Sequence, residues 1–298
     1  MGKPSGSPKT REFYDEQGWR DVGSTSLDGH LFGVKQDGPI RIELDRLETK
    51  RIRASLALAG TDLELLECGC GGNPARKVMD LCSTYTGVDF SKSGIERSRA
   101  VCEGLETPTH FQVADVCALP FENESFDAVY SAHMIYHIDD RGAQAAALRE
   151  MMRLLRPGGV AVVVTANPRP WLFPLRFLKR VIADAPILGP LLDRLRPAPP
   201  IPYRPSTIRW MRRLLSKFGE VEVYTCSIPS TAFYQRVSEK RNPGRALWRL
   251  IRWLEIYHPH LSAHLGNYVT VVCRKKGSVP RRTAETAAQP APPRDMTT

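Results

Sequence analysis

Apolar and polar positions alternate in blocks through the middle of this chain, and the blocks predict strands that each end in a polar group. Residues 63–68 read Leu-Glu-Leu-Leu-Glu-Cys and pass into Gly69, Cys70, Gly71, Gly72 and Asn73. A short apolar run that ends in an acid and a glycine cluster is how a buried strand hands over to a ligand-binding turn. Glycine suits such a turn because a Cβ would block a ligand or the positive φ that the turn needs. A second strand is expected to end at Asp89, a third at Asp115, and a fourth, over 126–131, at Ser131. The fourth opens into a loop holding His133, Tyr136 and His137. A helix from about Arg141 and the element Leu155-Arg156-Pro157-Gly158-Gly159 precede a strongly apolar fifth strand over 160–165. Residues 221–226 and 268–273 carry the sixth and seventh.

Asp89 stands about twenty residues beyond the glycine turn, the place from which dinucleotide-binding sheets hydrogen-bond ribose hydroxyls. A nicotinamide dehydrogenase shares that acid, but its glycine fingerprint requires glycine at position 74, where this chain has Pro74. Asp115 and the Leu155–Gly159 element have no place in that alternative either.

With these motifs together, residues 45–165 resemble the class I S-adenosylmethionine-dependent methyltransferases, specifically the type 11 group of small-molecule and quinone-type enzymes; the rest resembles them loosely. The resemblance implies an α/β fold: a Rossmann-like, doubly wound, seven-stranded sheet with an inserted, mostly helical cap. It also implies that Glu67, Cys68, Gly69, Cys70, Gly71 and Asn73 cradle the methionine part of the cofactor. Asp89 and Phe90 would hold the ribose side, Asp115 and Val116 the adenine, with Ser131 close by. The family pattern has a further glycine where this chain has Asn73. Asn tolerates left-handed backbone better than most residues, and Pro74 suits the first turn of a helix.

Transfer to a hydroxyl requires a base, and an imidazole titrates near neutral pH. His133 and His137 are the catalytic candidates, with His133 preferred as base and the His137 position often architectural in this group. Tyr14, Trp19, Tyr136 and Trp171 are the expected substrate-binding aromatics. The expected reaction is methylation of oxygen, or alternatively carbon, on a lipophilic or aromatic small molecule such as a natural product, quinone precursor or lipid-linked acceptor. A non-catalytic protein that binds S-adenosylmethionine or docks to membranes is the alternative from another class, and an RNA methyltransferase is a further one.

The 298 residues accommodate one such core plus elaborations. Residues 1–12 and 277–298 are rich in small and polar residues and are expected as disordered tails. Residues 13–58 are expected as a helical lid, with packing against the sheet as the alternative. The cofactor-binding core should span 59–165, a cap segment and helix 166–219, and the last two strands 220–276. The seven cysteines include no Cys-x-x-Cys pair, so neither a zinc site nor a disulfide framework is expected. His258, His260 and His264 lack a carboxylate or cysteine companion, and no metal is expected. There is no apolar leader and no long uncharged apolar run, which predicts a cytoplasmic protein.

The formal net charge of +10 is unevenly placed: residues 166–276 hold 20 Lys and Arg against 6 Asp and Glu. A basic surface suits nucleic acid, but the chain lacks both the Asp/Asn-Pro-Pro-Tyr/Phe element of amino-methylating DNA enzymes and the Pro-Cys of pyrimidine methylases. Within the basic stretch, Arg245, Arg249 and Arg252 recur on one helical face, with Leu247, Leu250, Ile251, Trp253 and Leu254 opposite. Two readings follow: an amphipathic helix with its arginines at the headgroups of an anionic membrane, or a cap helix with its apolar side on the core and its arginines in water.

Overall fold

The computed structural model describes residues 8–19, 21–22, 25–26, 39–170, 202–228 and 243–277. Trp171 and both expected tails, except residues 8–12 and 277, lie outside the described residues, as does much of the expected 166–219 cap segment.

Seven strands form one sheet: β1 Leu63–Cys68, β2 Cys82–Asp89, β3 Thr109–Val113, β4 Phe126–Ala132, β5 Leu155–Ala166, β6 Gly219–Ser227 and β7 Tyr268–Lys275. Their order is β3-β2-β1-β4-β5-β7-β6. The first five are parallel, and β7 runs antiparallel to both its neighbours. β5 begins five residues before the expected fifth strand, because Leu155 already pairs with Phe126 across a register shift in β4. β5 is buried from Gly158 to Ala166, as a near-continuous apolar run with helices on both faces should be.

The helices are α1 Pro8–Phe13, α2 Pro39–Leu56, α3 Lys92–Cys102, α4 Arg141–Leu154, α5 Ile208–Leu215, α6 Pro243–Tyr257 and the single turn α7 Pro259–Ser262. Sequence chemistry sets three of their starts. Ser91 accepts from Gly94 N–H at 3.1 Å, Asp140 from Ala143 N–H at 2.9 Å and Thr207 from Trp210 N–H at 3.3 Å, each satisfying an amide that the helix leaves open. Leu148 and Met151 of α4 and Met211 and Leu215 of α5 pack one face of the sheet. Ile52 and Leu56 of α2 and Ile95 of α3 pack the other.

Two expectations change here. α2 places Ile52 and Leu56 in the core, so the 39–56 part of the expected 13–58 lid is a sheet-packing helix. The first helix begins at Pro8, inside the stretch expected as a tail, because it has a surface to order against: Thr10 is buried and Arg11 lies over the Phe90 ring at 5.6 Å. Among the described residues, no helix is long and apolar enough to cross a membrane.

The strand order reverses between β1 and β4, which opens a crevice beyond their carboxyl ends. Glu67 pairs with Gly87 and with Tyr130, and Asp89 with Val113. The parallel register therefore delivers the polar strand tips to one edge.

Candidate active site

The glycine turn leaves β1 and folds back on β2. Gly69 and Cys70 both donate to the Val88 carbonyl, at 2.8 and 3.2 Å, and Asn73 N–H closes on Cys70 O at 3.2 Å. Gly69 and Gly71 have φ of 78° and 51°, a region that costs a residue with a side chain about 1–2 kcal/mol. Asp89 locks the turn from the neighbouring strand: its two carboxylate oxygens accept from Gly71 N–H at 2.9 Å and Ser91 N–H at 2.8 Å. Burial pushes the Asp89 carboxyl up to about 6, against the lowering effect of those backbone bonds. Glu67 is more completely enclosed. It accepts from Ala75 N–H at 2.9 Å and from the Tyr85 hydroxyl, and burial raises it to about 8. Cys68 and Cys70 are buried thiols with raised pKa, again through burial, which removes them as nucleophiles.

Further along the edge, Asp115 accepts from Cys117 N–H at 2.9 Å and meets Arg11 at 3.9 Å. Val116 is buried beside it. Ser131 Oγ is buried and has no hydrogen-bond partner among the described residues, an orphan that a bound polar group would satisfy.

The N-terminal segment closes over this cradle. Tyr14–Gly18 continues α1 as a π-helical turn. Three polar contacts pin it to α3: Asp15 accepts from Lys92 N–H at 2.9 Å, Ser93 donates to Tyr14 O at 3.0 Å and Arg97 donates to Trp19 O at 3.3 Å. Tyr14 stacks on Trp19 at 5.3 Å and meets Phe90 edge-on at 5.9 Å. The Trp19 indole lies against the glycine turn, so that a Cβ added to Gly71 would run into the ring. Its Nε1 is buried and has no partner among the described residues.

His133 has a φ of 60° and an exposed side chain. The backbone turns there because β4 ends and His133 N–H still bonds Val164 O at 2.9 Å. Its Nδ1 faces the Tyr136 hydroxyl at 3.1 Å, and its ring meets Tyr268 edge-on at 4.9 Å. His137 lies differently. It is buried, its Nδ1–H donates to Pro202 O at 2.8 Å, and burial holds it down at about 4. Around it, Arg204 N–H bonds Tyr136 O at 2.7 Å, Gln144 donates to Arg204 O at 2.8 Å and Ser206 donates to Gln144 at 2.6 Å. These bonds staple residues 202–206 to the loop after β4 and set Tyr203 against Tyr136 at 5.2 Å.

The structure thus gathers Glu67, Gly69, Gly71, Asp89, Phe90, Tyr14 and Trp19 around one cradle, with His133, Tyr136 and His137 in the loop beyond β4. Sequence reasoning missed Tyr203 and Tyr268. Tyr268 opens the last strand, and a polar aromatic at a strand start was the only signal for it.

The inserted helix departs furthest from expectation. Arg252, expected among the solvated or headgroup-facing arginines, is buried over Trp248 and binds Glu43 at 2.8 Å and Glu255 at 2.7 Å. Glu255 is fully buried and also accepts from Ile228 N–H at 2.7 Å. Arg51 of α2 donates to Thr225 O and Glu255 O. Burying Arg252 rolls the helix part-way: Leu250 and Trp253 are exposed, against the core-packing reading, while Ile251 of the same side is buried and Arg249 stays exposed.

Residues 66–163 match a family model described as a methyltransferase domain. The fatty-acid O-methyltransferase of Mycolicibacterium smegmatis is 32% identical over 52% of this chain and 58% of its own length. The 27-O-demethylrifamycin SV methyltransferase of Amycolatopsis mediterranei is 34% identical over 37% of this chain and 41% of its own. The chain thus spans about half the length of these relatives. The crystal structure of the N-methyltransferase NodS from Bradyrhizobium japonicum WM9 in complex with S-adenosyl-L-homocysteine superposes with a TM-score of 0.54 at 14% identity, over 90% of this chain and 98% of that one. It shares the fold. The strand order, the acid-tipped strands and the matched residues agree: residues 66–163 are similar to a methyltransferase domain, set in a sheet of the fold that the S-adenosyl-L-homocysteine-bound structure shares.

Proposed function

We propose that this protein transfers a methyl group from S-adenosylmethionine to oxygen, or alternatively carbon, of a lipophilic or aromatic small molecule. The observation that carries the reading is one juxtaposition. Asp89 locks the glycine turn at the crevice, and the exposed His133, walled by Tyr136 and Tyr268, stands in the loop after the adjoining strand. By their names, one relative is a fatty-acid O-methyltransferase and the other a 27-O-demethylrifamycin SV methyltransferase; the first supports oxygen and a lipophilic acceptor.

The residues fit the cofactor. Each Asp89 oxygen takes one backbone N–H and keeps a second lone-pair direction for a ribose hydroxyl. Phe90 would flank the ribose, Asp115 and Val116 would hold the adenine side and the turn from Glu67 to Asn73 the amino-acid end, and the orphan Ser131 hydroxyl would gain a partner. When bound, S-adenosylmethionine supplies a methyl group on a positively charged sulfur. The chain's own part is to orient the acceptor, exclude water and take a proton. His133 receives the proton of an acceptor hydroxyl through Nε2, since Nδ1 faces Tyr136. His137, neutral at physiological pH, positions residues 202–206 and Tyr203. Segment 8–19 acts as the lid, and Trp19 must shift for the cradle to fill. The setting that belongs to this reading is cytoplasmic, with the acceptor met at the inner face of a membrane.

Titration calorimetry with S-adenosylmethionine and S-adenosylhomocysteine, on the wild-type chain and Asp89→Ala, tests the reading. Binding that the substitution abolishes or strongly weakens supports it, and a screen of long-chain acids, phenols and hydroquinones then finds the acceptor. No binding of either compound would favour a non-catalytic docking protein instead.

A further inference from the structure

The described part of α6 and α7 presents a largely apolar face outward. Its inward side carries Ile251, Glu255 and Arg252, all buried. Its outward side carries Leu250, Trp253 and Tyr257 on α6 and Leu261 on α7, exposed by 54%, 48%, 67% and 67%. Ile256, 45% exposed, and the exposed Arg249 sit at one margin of that face. The reason is on the inward side: Arg252 and Glu255 bind one another, and Glu43 and Ile228 N–H fix them there. A buried pair of charges cannot be rotated outward without breaking those bonds, so Leu250, Trp253 and Tyr257 are left facing out.

We propose that this apolar face inserts into the interfacial layer of an anionic lipid bilayer. The inference rests on the methyltransferase reading above and gives its acceptor a source, the membrane itself. Three observations select a bilayer over other partners. The face mixes aliphatic residues with Trp253 and Tyr257, whose rings have an apolar body and a polar tip and favour the headgroup boundary. The exposed Arg249 at its margin complements anionic headgroups. The unit also leads to the acceptor side: the chain leaves α7 through the 37% exposed Leu265 into β7, whose first residue, Tyr268, meets His133. A lipophilic acceptor would pass from the bilayer along this face to His133 with little exposure to water.

The test is co-sedimentation of the full chain with vesicles of phosphatidylcholine alone or mixed with phosphatidylglycerol, compared with the variant Leu250→Ser/Trp253→Ser/Tyr257→Ser. S-adenosylhomocysteine binding is measured on the same samples. The wild-type chain is expected to bind the mixed vesicles, and the variant to lose at least about tenfold in partitioning, the least that withdrawing one large apolar side chain should cost. Equal binding by the two would overturn the proposal, since the contact would then lie elsewhere. So would a wild-type chain that binds neither vesicle, or one that self-associates through this face and becomes monomeric in the variant; another part of the chain or a second copy would then cover it. Retained S-adenosylhomocysteine binding shows that the variant is folded. It also separates failure of the docking proposal from failure of the methyltransferase reading, which would appear as loss of that binding in the wild-type chain.

Discussion

The indole of Trp19 rests on the backbone of Gly71, at the turn that Asp89 holds from the next strand. The N-terminal segment and the glycine turn are therefore in direct contact, and the contact exists only because position 71 has no Cβ. Gly71→Ala is expected to cost at least about 1–2 kcal/mol of stability from its positive φ alone, and more because the new methyl meets the ring. Chemical denaturation of the two chains measures it. S-adenosylhomocysteine should also shift the tryptophan emission of the wild-type chain, and Trp19→Phe should lose that shift while the other four tryptophans remain.

Asp89→Ala should weaken S-adenosylhomocysteine binding by about ten- to a hundredfold, the range expected for hydrogen bonds to a charged acceptor. The carboxylate has to be ionised to accept from two hydroxyls, and burial places its titration at about 6. Affinity should therefore fall as the pH drops through about 6. An affinity that stays level over that range would remove Asp89 from the ribose site.

His133→Ala should lower turnover by about a hundredfold or more on a hydroxyl acceptor while leaving S-adenosylhomocysteine affinity unchanged. His137→Ala should behave differently. It removes the bond to Pro202, so loss of stability and a raised KM are expected, with kcat less affected. Steady-state kinetics on both variants distinguishes a base from a positioning residue.

Glu67 has its folded-state value raised from 4.5 to about 8 by burial. For a group shifted upward, the stabilising contribution is complete below the unfolded value and is lost as pH rises through the folded one. The wild-type chain should lose thermal stability from about pH 4.5 up to about pH 8 through this residue. Glu67→Gln should flatten that loss. His137 acts oppositely: lowered from 6.5 to about 4, it contributes stability that disappears as pH falls through that window. Melting curves across pH resolve the two.

Glu255→Ala leaves Arg252 buried beside Glu43 alone and strips Ile228 N–H of its acceptor. Breaking one side of a buried ion pair typically costs about 3–5 kcal/mol, and urea denaturation should show a loss of that order.

The strands, their order of appearance and their polar tips were legible in the sequence because they are local. A strand announces itself by a run of apolar residues, and the acid or glycine that ends it is its chain neighbour. Glu67, Asp89 and Asp115 were therefore identifiable from the chain alone, and the parallel register then had to bring them to one edge. The cap was not legible in the same way. The helical period shows that residues 245–257 form an amphipathic helix, yet it cannot say which strip of it faces in: Ile251 and Arg252, assigned to opposite sides, are buried together, and Arg249 and Leu250 are exposed together. That was decided by Glu43, 209 residues before Arg252, and by the amide of Ile228. Likewise, Trp19 on Gly71 and Tyr268 beside His133 are contacts between distant segments, and no pattern within either segment encodes them. The sequence by itself determined the sheet and the chemistry at its edge through local periodicity and turn geometry. Tertiary structure alone decided what lies over that edge and which face of α6 meets the outside, because buried charges go where a partner can satisfy them.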